Sequence, residues 1–331
     1  MSVNGSGGGF VPDPVKGPPE EQGVLTAILR QITNVLTALY FILEAFVLLF
    51  VPSKFRMKSV KDEVVLVTGA GSGIGRLMSI RFADLGAKVV CWDVNKDGMD
   101  ETVNDIKNKG GTAYGYVCNV ADRKMVYDIA NKVRQEVGKV SILVNNAGIV
   151  TGRRLLEISD EGIERTFAVN ALSHYWIVKA FLPEMQSSNH GHIVSIASLA
   201  GQVGVNRLTD YCGSKFAAVG FAEALALELY QEGYTGIKTT IICPYFISTG
   251  MFHGATGGLF SFLEPSYVVD NIIKGVLLER DVVILPPLLI SLIAFKHWLP
   301  VRLLQFAAKE FGITESMTTF NPANRVTKKL Q

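Results

Sequence analysis

Charged side chains are scarce in this sequence. They make up 19% of its 331 residues, against roughly a quarter in an average soluble domain, while 48% of the residues are apolar. That balance excludes a disordered chain and a supercharged nucleic-acid binder. Basic and acidic residues, 32 and 30 of them, nearly cancel, so no global field draws phosphate backbones. The basic residues are also dispersed, without interleaved aromatics on a recognisable platform, which excludes nucleic acid as a partner. Cysteine is scarcer still. Cys91, Cys118, Cys212 and Cys243 lie far apart with no CxxC spacing, so neither a disulfide framework nor a zinc site is expected. The histidines, His174, His190, His192, His253 and His297, show no paired helical spacing with carboxylates or cysteines, and no metal ligand is expected among them.

Apolar length is what the sequence does have. Residues 1–23 are rich in Gly, Pro and Ser with almost nothing to bury, and read as a flexible tail. From Ile32 to Val51, 16 of 20 residues are apolar and Glu44 is the only charge, enough for a helix of about 30 Å, the thickness of a bilayer core. Residues 24–52 therefore read as a membrane anchor helix. A buried core helix is the alternative, but the run lies outside the repeating pattern that follows and has nothing obvious to pack against. A cleavable signal peptide fits poorly, because the run starts late, lacks a basic stretch at Met1 and has no small-residue cleavage site after it. Asn34 and Glu44 leave a helix lying in one leaflet as a competitor to a full span. Lys54, Arg56, Lys58 and Lys61 follow the segment, and only Lys16 and Arg30 precede it, which places the rest of the chain in the cytosol.

From residue 63, short β-branched runs alternate with longer segments of helical period. Strands are expected at 63–68, 87–93, 113–117, 141–144, 192–197, 238–243 and 281–285, and the longest helices at 161–185 and 210–231. This alternation predicts an α/β fold, a single doubly wound parallel sheet of about seven strands covered on both faces. A second apolar stretch, Pro286 to Phe306, is broken by Lys296, His297, Pro300 and Arg302. It reads equally as an interfacial hairpin and as the wall of a pocket, so residues 286–331 are expected to form an apolar, membrane-facing segment and a basic tail. The tail ends Lys328-Lys329-Leu330-Gln331, the dilysine form read by retrieval receptors of the endoplasmic reticulum, with a solvated basic tail as the plainer reading.

Where the first strand turns into the first helix stands TGAGSGIG, with Gly69, Ser72, Gly73, Ile74 and Gly75. Glycines there let the backbone approach a pyrophosphate, and the helix N-terminus presents free N–H groups to it, so the domain at 60–285 is expected to be Rossmann-type and to bind a dinucleotide. Asp93 closes the second strand, 24 positions after Gly69, where a carboxylate accepts from ribose hydroxyls and repels a 2′-phosphate. NAD is therefore favoured over NADP. Lys96 and Arg76, the nearby cations, read as solvated surface residues. Asn146, Ala147 and Gly148 follow the fourth strand as small residues in a loop close to the cofactor. Tyr211 and Lys215, four apart on a predicted helix, share a face. A tyrosine is a poor base at neutral pH unless a fixed ammonium stabilises its phenolate. Ser198, at a strand end 13 positions before Tyr211, offers a hydroxyl to a substrate oxygen that gains negative charge. Cys212 has no base spaced to activate it and reads as a packing residue.

TGAGSGIG, Asn145-Asn146-Ala147-Gly148, Ser198, Tyr211-Cys-Gly-Ser-Lys215 and Pro244 after the sixth strand, in this order and spacing, resemble the short-chain dehydrogenase/reductase superfamily over about residues 60–285. The resemblance implies a catalytic set of Asn170, Ser198, Tyr211 and Lys215, in which Asn170 positions a proton-relay water through the helix backbone and holds the lysine. Tyr211 and Lys215 also count among the implied cofactor contacts. It implies further that Asn119 and Val120 grip the adenine, with Asn119 standing where the family commonly has Asp. It also implies that Pro244 and Thr249 line the nicotinamide end and that two copies pair through the long helices as a homodimer. Tyr245 stands where the family has glycine, which puts the path of that loop in doubt. The anchor, the segment STGMFHGATGGLFSFLEPSYV and the apolar C-terminal stretch resemble the membrane-associated retinol and 17β-hydroxysteroid dehydrogenases. The implied activity is NAD-dependent oxidation of a lipophilic alcohol, all-trans-retinol first and a 17β-hydroxysteroid as the alternative. The implied place is the endoplasmic reticulum membrane, with lipid droplets as a second location. A non-catalytic membrane or lipid-droplet scaffold is the reading from another class, and the intact Asn170, Ser198, Tyr211 and Lys215 argue against it.

Overall fold

The computed structural model describes residues 23–258, 260–296 and 298–320. Most of the flexible-tail segment, His297 and the Lys328-Lys329 pair lie outside the described residues. The chain divides after Arg56 into two units. The first holds helix α1, Val24–Phe50, none of whose residues is buried. With a mean hydropathy of 2.0, it is the one helix among the described residues long and apolar enough to cross a membrane. Two side-chain hydrogen bonds are local to it: the Thr33 hydroxyl donates to Leu29 O at 3.0 Å, and Arg56 Nη1, beyond the last turn, donates to Leu48 O at 2.9 Å.

The second unit contains β1 (Val64–Thr68), α2 (Gly73–Asp84), β2 (Lys88–Asp93), α3 (Lys96–Asn108), β3 (Thr112–Val117), α4 (Arg123–Glu136) and β4 (Ile142–Asn145). It continues with α5 (Asp160–Phe167), α6 (Ser173–Ser188), β5 (Gly191–Ile196), α7 (Thr209–Gln231), β6 (Ile237–Pro244), α8 (Pro265–Leu277), β7 (Val282–Leu285), α9 (Leu289–Phe295) and α10 (Val301–Glu310). The seven strands form one parallel sheet in the order β3-β2-β1-β4-β5-β6-β7. Strand alternation sends Val65, Val67, Val89, Val144 and Val194 to a layer under α2 and α8, and Leu66, Val90, Trp92, Leu143 and Ile193 to a layer under α4, α6 and α7. Both faces of the sheet are apolar because both are covered. Strand order reverses between β1 and β4, and an open α/β sheet leaves a crevice outside the strand C-termini at such a point.

Every expected strand is present, with ends shifted by a residue or so. Two helical expectations are refined. The helix expected over 161–185 is two helices joined through a π turn at Ala168–Leu172, which widens the backbone around Asn170. The apolar stretch from Pro286 is broken into α9 and α10 by Pro300, which has no N–H to continue a helix and serves as the N-cap of α10.

Candidate active site

Three turns meet at the crevice. In the β1–α2 turn, Gly69 has φ +67° and Gly73 φ +54°, left-handed conformations that glycine adopts without a Cβ penalty. A Cβ on Gly75 would overlap the Gly69 carbonyl and come within 2.6 Å of Asn146 Nδ2, so only glycine lets α2 start this close to the turn. Ser72 caps α2 with no side-chain bond, which leaves the first N–H groups of the helix for an anion. The Ile74 side chain packs into the core, so its share in binding falls to its backbone. Thr68 joins the turn to the one after β4: its Oγ1 accepts from Asn146 N at 2.9 Å and Ala147 N at 3.0 Å, and Asn146 Nδ2 donates to Thr68 O at 2.8 Å.

Asp93 stands at the rim with each carboxylate oxygen fixed, Oδ2 by Gly71 N at 2.8 Å and Oδ1 by Asn95 N at 2.8 Å. The cations beside it are engaged elsewhere. Arg76 pairs with Glu101 at 2.9 Å and Asp105 at 2.6 Å, and Lys96 pairs with Asp100. After β3, Asn119 Oδ1 accepts from Ala121 N at 3.2 Å while Val120 is buried. Across the crevice, a Cβ on Gly73 would lie 3.5 Å from Thr249 Cβ, so the loop after β6 reaches the glycine turn. These residues fit a dinucleotide: unpaired N–H groups at a helix start, a cradle that a Cβ would fill, and a carboxylate at the end of β2.

At the other end of the crevice, Lys215 Nζ donates to Ile196 O at 2.8 Å and lies 5.8 Å from the Tyr211 ring centroid. Burial holds the Lys215 ammonium down to about 8. Burial also pushes the Tyr211 phenol up, and a hydrogen bond with Ser198 draws it partly back. The Asn170 side chain grips the chain after β4, Oδ1 accepting from Ile149 N at 2.8 Å and Nδ2 donating to Ile149 O at 2.9 Å. Nδ2 also reaches Ser214 Oγ at 3.0 Å, and that hydroxyl donates to Tyr211 O at 2.7 Å. Asn170 thus ties the β4 turn to the first turn of α7. Gly148 passes close to both: a Cβ there would sit 3.5 Å from Asn170 Oδ1 and 3.7 Å from Lys215 Nζ. Cys212 is buried, accepts at Sγ from Val205 N at 3.4 Å, and has its thiol pushed up by burial.

Beside Ser198 and Tyr211 opens a cavity of about 470 Å³, within the roughly 300–1,000 Å³ of small-molecule sites. Pro244, Tyr245, Phe246 and Phe252 line its inner end, and α9 and α10 wall its outer end. Tyr245 points its ring at Phe246 and Phe260 and donates its hydroxyl to Gly257 O, which fixes the loop path that its substitution for glycine had put in doubt. Two features escape the sequence reading. Asp210 is buried and accepts from the Thr151 and Thr166 hydroxyls at 2.8–2.9 Å, holding the start of α7. Ser316, Met317 and Phe320, within the segment expected to be membrane-facing and a basic tail, are buried, and Met317 and Phe320 pack in the cluster that contains Tyr211 and Phe252. An acidic residue opening a helix was the visible signal for Asp210. Nothing comparable marked Met317.

A doubly wound sheet with this glycine turn at its switch point defines a dinucleotide-binding oxidoreductase of the α/β class. The pattern of the short chain dehydrogenase family matches residues 63–257, and the chain belongs to that family. It is 46% identical over 287 residues to epidermal retinol dehydrogenase 2 of Homo sapiens, covering 86% of this chain and 92% of that protein. Estradiol 17-beta-dehydrogenase 11 of Homo sapiens is 45% identical over 271 residues, 82% of this chain and 90% of that one. Among solved structures, a short chain dehydrogenase/reductase from Burkholderia phymatum in complex with NAD has a TM-score of 0.68 at 26% identity, covering 73% of this chain and 95% of that one. A metagenomic short-chain oxidoreductase in complex with NADP has a TM-score of 0.59 at 26% identity, covering 69% and 97%.

Proposed function

We propose that this protein is a membrane-anchored, NAD-dependent alcohol dehydrogenase that oxidises all-trans-retinol to retinaldehyde. The observation that carries the reading is the cavity: Ser198 and Tyr211 line a space whose other walls are mostly apolar, among them Leu208, Phe246, Phe252, Ile293 and Phe311, with Tyr245, Lys296 and Gln305 the remaining polar side chains. Such a site takes a long apolar molecule with one hydroxyl. A 17β-hydroxysteroid meets the same description and is the second reading, since relatives of both names are matched at nearly equal identity.

Gly69, Ser72, Gly73, Ile74 and Gly75 would hold the pyrophosphate, Asp93 the adenosine ribose, and Asn119 and Val120 the adenine. Asn146, Ala147, Gly148, Pro244 and Thr249 would hold the nicotinamide half, which when bound supplies the hydride acceptor. Asp93, with Arg76 and Lys96 paired to Glu101, Asp105 and Asp100, supports NAD over NADP. Ser198 donates to the substrate oxygen and keeps its hydroxyl within reach of Tyr211. Tyr211 takes the hydroxyl proton as general base. Burial alone disfavours its phenolate, so the Lys215 ammonium has to stabilise that charge, and Asn170 holds the loop and the helix turn on which both stand. Apolar side chains exposed along α6 and α7, among them Tyr175, Phe216 and Tyr230, support pairing of two copies. Helix α1 and the basic residues after it support an anchor in the endoplasmic reticulum membrane, or at lipid droplets, with the catalytic unit in the cytosol.

Membranes carrying the wild-type protein should convert retinol with NAD, and membranes carrying Tyr211→Phe should not, although the variant still binds NADH. Lys215→Met should damage both binding and turnover. More than a few per cent of wild-type activity in Tyr211→Phe would overturn the mechanism, and turnover of a 17β-hydroxysteroid without retinol would select the second reading.

A further inference from the structure

The cavity is walled differently at its two ends. Its inner end carries an unbroken series of edge-on ring contacts that starts at Tyr211. Tyr211 meets Phe252 with centroids 5.9 Å apart, Phe252 meets Phe246 at 4.9 Å, Phe246 meets Tyr245 at 5.1 Å and Tyr245 meets Phe260 at 5.8 Å. All five rings line the cavity. Met317 and Phe320 pack in the same cluster as Phe246 and Phe252, so in a close-packed interior those two rings have no space to retreat into. At the outer end, α9 and α10 contribute the aliphatic side chains of Leu289, Leu292, Ile293 and Leu304. Flexible aliphatic chains repack around different shapes, whereas a ring held at both ends does not.

Tyr245 is the ring of this wall that is held from every side. Its backbone N donates to Leu285 O at 2.8 Å, its hydroxyl donates to Gly257 O, and its ring stands between Phe246 and Phe260. It also follows Pro244, whose carbonyl lies 3.5 Å from Ser198 Oγ, so it stands one residue from the hydroxyl that meets the substrate oxygen. In alcohol oxidation the reacting carbon carries that oxygen, the hydrogen that leaves as hydride, and two further substituents. In a primary alcohol one of the two is hydrogen, and a single passage away from Ser198 and Tyr211 is enough. In a secondary alcohol both are carbon, and a second passage is needed on the side where the rings stand. We propose that Tyr245 is a specificity-determining residue: its fixed ring fills the space of a second carbon substituent, so the site takes a primary alcohol at the end of a slender chain and turns away a secondary alcohol set in a ring. The inference rests on the function proposed above and separates its two readings, retinol being of the first kind and a 17β-hydroxysteroid of the second.

The test compares two alcohols that differ by one methyl group, on the full chain in membranes with NAD: all-trans-retinol, and the secondary alcohol made by adding a methyl to its hydroxyl-bearing carbon. In the wild type, kcat/KM should be roughly 10- to 200-fold lower for the methylated alcohol, the range that one carbon is worth in an apolar pocket. Tyr245→Ala should shrink that ratio to about threefold or less, chiefly by raising kcat/KM for the methylated alcohol. Tyr245→Phe, which keeps the ring and loses only the bond to Gly257, should keep the wild-type ratio. A side chain that merely supports the loop would lower both alcohols together and leave the ratio unchanged. NADH binding reports whether each variant is folded, and if Tyr245→Ala is not, Tyr245→Leu removes the ring with a smaller loss of volume and is read in the same way. An unchanged ratio in a folded variant without the ring overturns the proposal, as does a wild type that oxidises both alcohols equally well. A wild type that oxidises neither overturns the function proposed above and this inference with it, so the two failures are distinguishable.

Discussion

Removing the charge at Asp93 is the sharpest test of cofactor preference. Its two carboxylate oxygens are positioned by Gly71 N and Asn95 N, each at 2.8 Å, and Arg76 and Lys96 are engaged by Glu101, Asp105 and Asp100. A 2′-phosphate would therefore meet an uncompensated negative charge. Two unit charges about 4 Å apart interact by about 1 kcal/mol in water and about 4 kcal/mol near a protein surface. Asp93 lies at a half-exposed rim, which puts the penalty at roughly 2–3 kcal/mol, or about 30- to 150-fold in kcat/KM. Asp93→Asn keeps an acceptor oxygen and removes the charge, so efficiency with NADP should rise by about that factor. Efficiency with NAD should fall by about tenfold, because hydrogen bonds to a charged acceptor are worth roughly 1.5–3 kcal/mol and neutral ones about 1. The assay is kcat/KM for retinol with each nucleotide in membranes from wild type and variant. The two nucleotides must move in opposite directions, since collapse of the glycine turn would lower both. Equal or better use of NADP by the wild type, or an unchanged ratio in Asp93→Asn, would refute the reasoning.

Acid should destabilise the fold through its buried imidazoles. His174 is held down to about 3 and His192 well below the usual histidine range, both chiefly by burial, so the unfolded chain binds more protons than the native one below pH 6.5. This stability is complete above that pH and falls by up to about 1.4 kcal/mol per pH unit per histidine as pH drops; a urea midpoint unchanged between about pH 7.5 and 5.5 would contradict it. Met317→Ala, at a fully buried position in the cluster around Tyr211, should cost roughly 2–5 kcal/mol in urea unfolding and lower turnover, whereas a solvated tail residue would cost nothing. Deleting residues 1–51 should shift protein toward the soluble fraction, with any fraction left on membranes expected to be held by the exposed apolar side chains of α9 and α10. Protease added to sealed microsomes should digest the catalytic unit, and its full protection would place that unit in the lumen.

The parts of this molecule that were legible in the sequence are those whose cause is local. Val64–Thr68 and Ile142–Asn145 are runs of strand-forming residues that both faces of the sheet bury, and their composition alone marks them. The glycine turn carries its reason in its own residues, as do Tyr211 and Lys215, whose spacing puts them on one helix face. Asn170 was legible only by resemblance, because what sets it apart is a π turn and a grip on Ile149, 21 positions earlier. The C-terminal stretch was ambiguous for a physical reason. Apolar residues at helical spacing look alike whether they face a membrane, a cavity or a core, and α9 and α10 wall the cavity while Leu288, Trp298 and Phe306 stay exposed. Residues beyond them look polar, yet Thr256 N donates to Ser316 O at 2.8 Å and Asn206 Nδ2 to Thr314 O at 2.7 Å, contacts across more than fifty positions that no local pattern records. Those contacts seat Met317 and Phe320 beside Tyr211. The family pattern ends at residue 257, so the glycine turn, Ser198, Tyr211 and the cavity side chains Tyr245, Phe246 and Phe252 lie within it, whereas α9, α10, Met317 and Phe320 lie beyond it.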